Sequence, residues 1–161
     1  MERRFIVDSM LGKFSRWLRI LGMDAIYEDG TPDEELLKSA LESGRVLLTS
    51  DRELYRKTLK RGAKAFLVEG EGETERLASF SKRFRVPLKI SASKSRCVKC
   101  NSPVKPARKE EVMGKVPMNT FRIYRRFWMC SGCGQVYWKG GHWKRMSYVI
   151  RRASEIIGGA E

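Results

Sequence analysis

FIVDSMLGKFSRWLRILG, residues 5–22, changes its hydrophobic period in the middle. Phe5-Ile6-Val7 is a short apolar run that ends on a carboxylate, Asp8, and reads as a buried strand. From Leu11 onward the apolar residues Leu11, Phe14, Leu18 and Leu21 recur three or four apart, the spacing of one helix face. Lys13, Arg16 and Arg19 recur every three residues on the flank of that helix, and Gly22 is placed to stop it. A strand thus delivers an acid to its carboxyl end, and the next helix carries cations beside it. In open α/β sheets, sites lie outside the carboxyl ends of the strands.

The same alternation continues outward. Met23–Tyr27 reads as a short second strand. Thr31-Pro32-Asp33-Glu34 opens a helix: Thr31 is a capping residue, Pro32 suits the first helical position, and Glu34 completes a capping box. Leu36, Leu37, Ala40 and Leu41 give that helix a buried face, and Gly44 ends it. Arg45–Ser50 is a strand that again runs into an acid, Asp51. A helix over Asp51–Arg61, a strand over Lys64–Glu69 and a helix over Thr74–Phe84 follow. Val86–Ile90 is expected as a last short strand, weakened by Pro87. Strands alternating with helices over about 90 residues define an α/β domain, residues 1–90, with a mostly parallel sheet flanked by helices.

Asp8 and Asp51 close two strands, and Asp33 opens the helix between them. Adjacent parallel strands would bring all three to one sheet edge. Clustered carboxylates repel and raise one another's pKa unless a cation neutralises them. Three acids without a nearby His or Cys suit Mg²⁺ or Mn²⁺, which take hard oxygen ligands. Lys13, Arg16 and Arg52 are then placed to hold a phosphodiester, with Arg19 farthest from Asp8. Each residue also has a plainer role. Asp8 and Asp51 suit turns or helix caps, Asp33 favours a helix dipole, and the cations suit a solvated face.

Composition shifts near Ser91. SASKSR is small, polar and basic, as a linker is, and residues 91–161 form the second unit. They hold 15 Lys/Arg against 4 Asp/Glu, whereas residues 1–90 hold 18 against 15, so the net charge of +14 sits mostly in the C-terminal part. Such a surface suits a polyanion, nucleic acid first among them. Cys97-x-x-Cys100 and Cys130-x-x-Cys133 supply four thiolates for a closed tetrahedral structural zinc site, with redox and iron–sulfur chemistry as the alternatives. The 29 residues between the pairs call for an extended hairpin or loop. Arg122, Tyr124, Arg125, Arg126, Phe127 and Trp128, then Tyr137, Trp138, Trp143, Lys144 and Arg145, interleave aromatics with cations, as single-stranded RNA binding does. Phe121, Ile123 and Phe127 can equally pack the module, and Trp138 can pack it onto the first domain. His142 is the only histidine. With four cysteines present it is read as a packing or hydrogen-bonding residue rather than a ligand. A C-terminal helix with Met146, Val149, Ile150, Ala153 and Ile157 on one face closes the second unit.

No apolar run approaches the roughly 18 residues of a membrane span, and charges follow the N-terminus too closely for a secretory signal. A cytoplasmic protein with no membrane partner is expected, with its cysteines reduced.

FIVDSMLGKFSRWLRILGMDAIY, then Asp33-Glu34-Glu35-Leu36-Leu37, VLLTSDREL, RCVKCN and CSGCGQVYWKGGHWKRM, in this order, resemble the Mut-seven C-terminal RNase family from about Phe5 to Met146. The resemblance implies a PIN-like nuclease domain followed by a zinc ribbon. It implies Asp8, Asp33 and Asp51 as catalytic acids binding Mg²⁺ or Mn²⁺, and an RNase activity. The fourth acid that PIN nucleases often carry has no clear equivalent, since Glu69 and Glu71 follow a strand without a recognisable motif. The leading expectation is a metal-dependent ribonuclease, with Arg125, Arg126 and Lys144 of the ribbon helping to hold RNA. The alternative is a non-catalytic protein that binds RNA, rRNA or the ribosome.

Overall fold

The computed structural model describes residues 4–159. Four strands, β1 (Arg4–Val7), β2 (Asp24–Ile26), β3 (Val46–Thr49) and β4 (Ala65–Leu67), form one parallel sheet in the order β2-β1-β3-β4. Between them run α1 (Gly12–Ile20), α2 (Asp33–Ser43) and α3 (Arg52–Lys60), and α4 (Glu73–Phe84) follows β4. Alternate strand residues face opposite ways. Phe5, Val7, Val46 and Leu48 join one core with Phe14, Leu18, Phe80 and Phe84, while Ile6 and Leu47 join another with Leu36, Leu37, Ala40 and Leu54. Helices therefore cover both faces, which is why these strands read as unbroken apolar runs. Phe5 packs edge-on against both Phe80 and Phe84, with centroids 5.1 Å apart in each pair.

Several local expectations shift. Pro32 itself, extended at ψ 151°, precedes α2, and Thr31 Oγ1 donates to Glu28 O (2.9 Å) instead of capping the helix. No strand forms over residues 86–90: the Val86 N–H donates to Ser81 O (3.2 Å) and its carbonyl accepts from Ser81 Oγ (2.7 Å) at the end of α4, and Pro87 removes a ladder donor.

The second unit begins with a linker that is clamped, not loose. Ser95 Oγ donates to Ile20 O (2.7 Å), and the Arg96 N–H donates to Arg19 O (2.7 Å) at the carboxyl end of α1. Gly22 is required at this junction: its φ is +86°, and a Cβ there would meet Lys94 O at 2.7 Å. Three antiparallel strands follow in the order of the chain, β5 (Val104–Ala107), β6 (Phe127–Cys130) and β7 (Val136–Tyr137). The 29-residue gap between the cysteine pairs holds β5 and two short helices, α5 (Lys109–Val112) and α6 (Met118–Ile123). Phe127 packs with Val112 and Val136, whereas Ile123 stays exposed.

The last helix, α7 (Gly141–Gly158), does not stay with the ribbon. It packs against α4, and Ile150 and Ala153 enter the core of the parallel-sheet domain. Residues 141–158 thus belong by sequence order to the second unit and by packing to the first.

Arg19 corrects the sequence reading most directly. It is only 5 % exposed, donating Nε to Ala25 O (2.9 Å) and Nη1 to Val98 O (2.8 Å). It bridges β2 to the first cysteine loop and is not available as a phosphate grip. Residues three apart on a helix slip by about 60° per step, so Arg19 lies about 120° around from Lys13. Asn101 makes a second bridge, accepting from the Ala25 N–H (3.1 Å) and donating to Asp24 Oδ1 (2.7 Å). Asp24 also pairs with Arg45 at 2.9 Å. Arg19→Ala removes the guanidinium donor from the buried Ala25 carbonyl and the part-buried Val98 carbonyl and should destabilise the protein by about 2–4 kcal/mol in denaturant unfolding. An unfolding midpoint equal to that of the wild type would refute this bridging role.

Candidate functional site

Two constellations stand out. The first lies at the carboxyl edge of the parallel sheet, where the chain order reverses between β1 and β3, the topological switch point at which open α/β folds place their sites. Asp8 follows β1 and is 5 % exposed. Thr49, the buried last residue of β3, donates Oγ1 to Asp8 Oδ2 at 2.7 Å and accepts the Asp51 N–H at 3.0 Å. The threonine hydroxyl therefore has its donor and acceptor roles assigned, and Asp8 Oδ2 is held as an acceptor. Asp51 caps α3: its Oδ1 accepts the N–H groups of Glu53 (2.7 Å) and Leu54 (3.1 Å). The plain capping role is thus real, and it also fixes the carboxylate beside the edge. Asp33 begins α2. Asp33 is exposed, yet partial desolvation, and then the charges of Asp8 and Asp51, push its pKa above the usual carboxylate value.

Thr49 ties Asp8 to the Asp51 backbone, and Ser9 Oγ donates to Thr31 O at 3.3 Å, which brings the segment before α2 to the same edge. Among the described residues Asp8 has no ion-pair partner. The carboxylates do not gather as tightly as the cysteines described below. Uncompensated acids repel, and Asp51 is also tied to its helix. Glu53, in the first turn of α3, also raises the Asp33 pKa. It is an acid near this edge that sequence reasoning passed over, and its signal was its place two residues after Asp51. Glu69 follows β4 and pairs with Arg52 at 3.1 Å, both side chains being well exposed. Lys13 is 84 % exposed and lies 3.6 Å from Glu73, a contact worth little that a phosphate can displace. Arg16 is exposed on the same helix.

Asp33 gives a pH prediction. An acid with a raised folded-state pKa binds its proton more tightly in the folded chain than in the unfolded one. Its contribution to stability is present below the ordinary value, near 3.8, and is lost as pH rises through the raised value. The Asp33 carboxyl should titrate by NMR above an ordinary aspartate. An unshifted titration would separate Asp33 from the other two acids.

The second constellation is the four cysteines. Cys97 and Cys130 are buried and Cys100 and Cys133 exposed, and their four sulfurs all lie within 4.8 Å of one another. Cys97 and Cys133 are 3.6 Å apart and Cys100 and Cys130 3.3 Å. A tetrahedron with Zn–S bonds of about 2.3 Å has edges of about 3.8 Å, so the donor set fits zinc. The N–H groups of Gly132 and Cys133 point at Cys130 Sγ (3.3 and 3.4 Å), and Tyr137 Oη lies 3.0 Å from Cys97 Sγ. A Cβ at Gly132 would overlap the Ser102 hydroxyl, so the second knuckle needs glycine. The thiols are driven apart in acidity. Hydrogen bonds from Ser102 and the neighbouring Cys130 lower Cys100 to about 6, while Cys133 rises to about 11: burial and the other three thiols outweigh the Gln135 backbone contact that lowers it. Four thiolates this close ionise together only around a cation. Arg19 lies near enough for the charges of Cys97 and Cys100 to raise its pKa, although burial lowers it more.

Arg125 and Arg126 are exposed on the ribbon, and Lys144 is exposed in the first turn of α7. His142 is exposed in the first turn of α7, so it does not pack in the core.

A four-stranded parallel α/β domain with acids at its switch point, joined to a four-cysteine antiparallel module, defines the class of the molecule. The chain belongs to the Mut7-C RNAse domain family, whose sequence model matches residues 3–150. No curated protein and no solved structure matches it. The family ties the chain to nuclease-like, RNA-related function. No helix among the described residues is long and apolar enough to cross a membrane.

Proposed function

We propose that this protein is a divalent-metal-dependent ribonuclease. The observation that carries the reading is Asp8: a buried carboxylate with a threonine hydroxyl as its hydrogen-bond donor, no ion-pair partner among the described residues, and a link through that same Thr49 hydroxyl to the Asp51 backbone. Burying a charge is costly unless it is paired or coordinates a metal. Asp8, Asp33 and Asp51 would hold Mg²⁺ or Mn²⁺, which supplies an acidified water and stabilises charge on a phosphoryl group. Thr49 orients Asp8, and the α3 N-terminus orients Asp51. Lys13, Arg16 and Arg52 bind and align the phosphodiester, and Arg125, Arg126 and Lys144 extend the grip over the ribbon. The four cysteines would hold zinc as a structural group, because all four positions are filled by protein and none is open to substrate. A cytoplasmic setting suits them, since thiols stay reduced there.

The second reading, a non-catalytic RNA- or ribosome-binding protein, is favoured by the looseness of the acid group relative to the cysteines. Cleavage decides between them. Purified protein with Mn²⁺ or Mg²⁺ should cut single-stranded or structured RNA and lose activity when that metal is withheld. Intact RNA after incubation with saturating metal, by protein that binds the same RNA, would remove the enzyme reading and leave the second.

A further inference from the structure

A recess lies away from the acid edge. A largely apolar cleft of about 480 Å³, including its open mouth, lies where α1, the linker, the ribbon and α7 meet. Ile20, Ile90, Trp128, Trp143 and Met146 line it, and Arg96 and Lys139 supply its charge. No acidic residue contributes to the lining. Trp128 and Trp143 are half-buried, so each keeps part of its indole open. Lys139 Nζ stands 4.6 Å from the Trp143 ring centre and 5.7 Å from that of Trp128, which brings both rings within reach of one ammonium.

The cleft is also in line with the acids. α1 starts four residues after Asp8, and its last residue, Ile20, lines the cleft. At about 100° per residue, Lys13, Arg16 and Ile20 fall within about 60° of one another, and at 1.5 Å per residue Lys13 and Ile20 are about 10 Å apart along the helix. Lys13 and Arg16 are both exposed. A polyanion held at the acid edge and running along α1 would meet these two cations and then the cleft.

We propose that this cleft is a nucleobase-binding subsite, in which one unpaired base of the bound RNA, a few nucleotides from the acid edge, stacks on an open face of the Trp128/Trp143 indoles while its phosphate meets Lys139. The proposal rests on the RNA reading above but not on cleavage. The occupant follows from the chemistry. A base offers a flat π face to aromatic walls and a negative backbone to the cations outside. The ribbon half, with its 15 Lys/Arg against 4 Asp/Glu, attracts the same ligand.

The test measures binding of a fluorescein-labelled 12-nucleotide single-stranded RNA by anisotropy, without added Mg²⁺ or Mn²⁺. Trp143→Ala should weaken binding about tenfold or more, the scale of one lost base stack, and Trp143→Phe should stay within about threefold of wild type. Trp143→Ala should leave the salt slope unchanged, while Lys139→Ala should lower it by about one phosphate contact. A second series needs no variant. Probes that each lack one base should bind wild type equally except at one position, where affinity falls to the Trp143→Ala level. Equal binding by Trp143→Ala that retains wild-type thermal stability, or no position effect in the probe series, would overturn the subsite and give the cleft to a protein segment or to interdomain packing. Wild type that binds no RNA would overturn both this subsite and the ribonuclease reading. Trp143-dependent binding without cleavage would keep the subsite and remove the nuclease.

Discussion

Asp8→Asn should lower the rate of RNA cleavage at least about a thousandfold while leaving the fold as stable as before, or more so. The rate estimate takes the metal's share of transition-state stabilisation as about 4 kcal/mol, at 1.36 kcal/mol per factor of ten. The stability argument comes from the neighbours. Thr49 Oγ1 now donates to Asp8 Oδ2 at 2.7 Å, and an amide oxygen in the same place accepts that bond equally well. What the substitution removes is a buried negative charge that raises the pKa of Asp33. With Asp8 neutral, the Asp33 carboxyl should titrate lower, and in metal-free protein the repulsion at the edge should ease. A functional site purchased at the expense of stability behaves this way; a structural aspartate does the reverse. The paired measurements are cleavage by gel assay and thermal midpoint without metal. Cleavage at the wild-type rate by Asp8→Asn, with the same result for Asp51→Asn, would show that the acids do not carry the chemistry. Asp51→Asn should be somewhat less stable than Asp8→Asn, because the capping carboxylate serves the N–H groups of Glu53 and Leu54 as well.

Cys97→Ser should release the metal and lower the thermal midpoint by about 10–20 °C. Structural zinc contributes about 10–16 kcal/mol of binding free energy in small domains, and a loss of even about 5 kcal/mol corresponds to that shift in a chain of this size. The ribbon has a small core of its own: Cys97, Val104 and Cys130 form one buried cluster, and Val112, Phe127 and Val136 another. The damage should not stop at the ribbon. Val98 and Asn101, on either side of Cys100, are the partners of Arg19 and of Ala25 and Asp24 on the edge strand β2. Loss of the first knuckle therefore frees the β2 edge and the end of α1, and hydrogen exchange at Ala25 should rise together with that at Val98. Elemental analysis of the purified protein should find one zinc per chain. A folded protein without zinc, or a Cys97→Ser variant with an unchanged midpoint, would refute the structural role.

Much of the architecture was legible because two periods alternate without ambiguity. FIVD and VLLTSD are too short and too apolar to be surface helices, and each ends on an acid. The switch from an unbroken apolar run to a 3.6-residue period after Asp8 separated β1 from α1. Parallel pairing of β1 with β3 then follows from the intervening helix, and with it the neighbourhood of Asp8 and Asp51. The two Cys-x-x-Cys pairs announced a common site by chemistry alone, since thiolates at that spacing have few other uses in a reducing compartment.

Other features had no local signal. Lys13, Arg16 and Arg19 look equivalent in one dimension, yet the last turns inward to hold two carbonyls. Thr31 sits in a capping pattern but donates to the Glu28 carbonyl instead of accepting a helix N–H, and α7 follows the ribbon yet packs on α4. In each case the deciding partner lies on another element or on an adjoining turn, so burial and pairing depend on distances that a linear pattern does not contain. By itself the sequence determined which residue types were available at the strand ends and in the knuckles, because hydrophobic period and ligand chemistry are local properties. Only the tertiary structure decided which charges stay at the surface, which become struts between the two units, and that Trp128, Lys139 and Trp143 share a cleft with the end of α1. Those outcomes depend on how three non-adjacent elements pack, and packing is decided by the whole molecule.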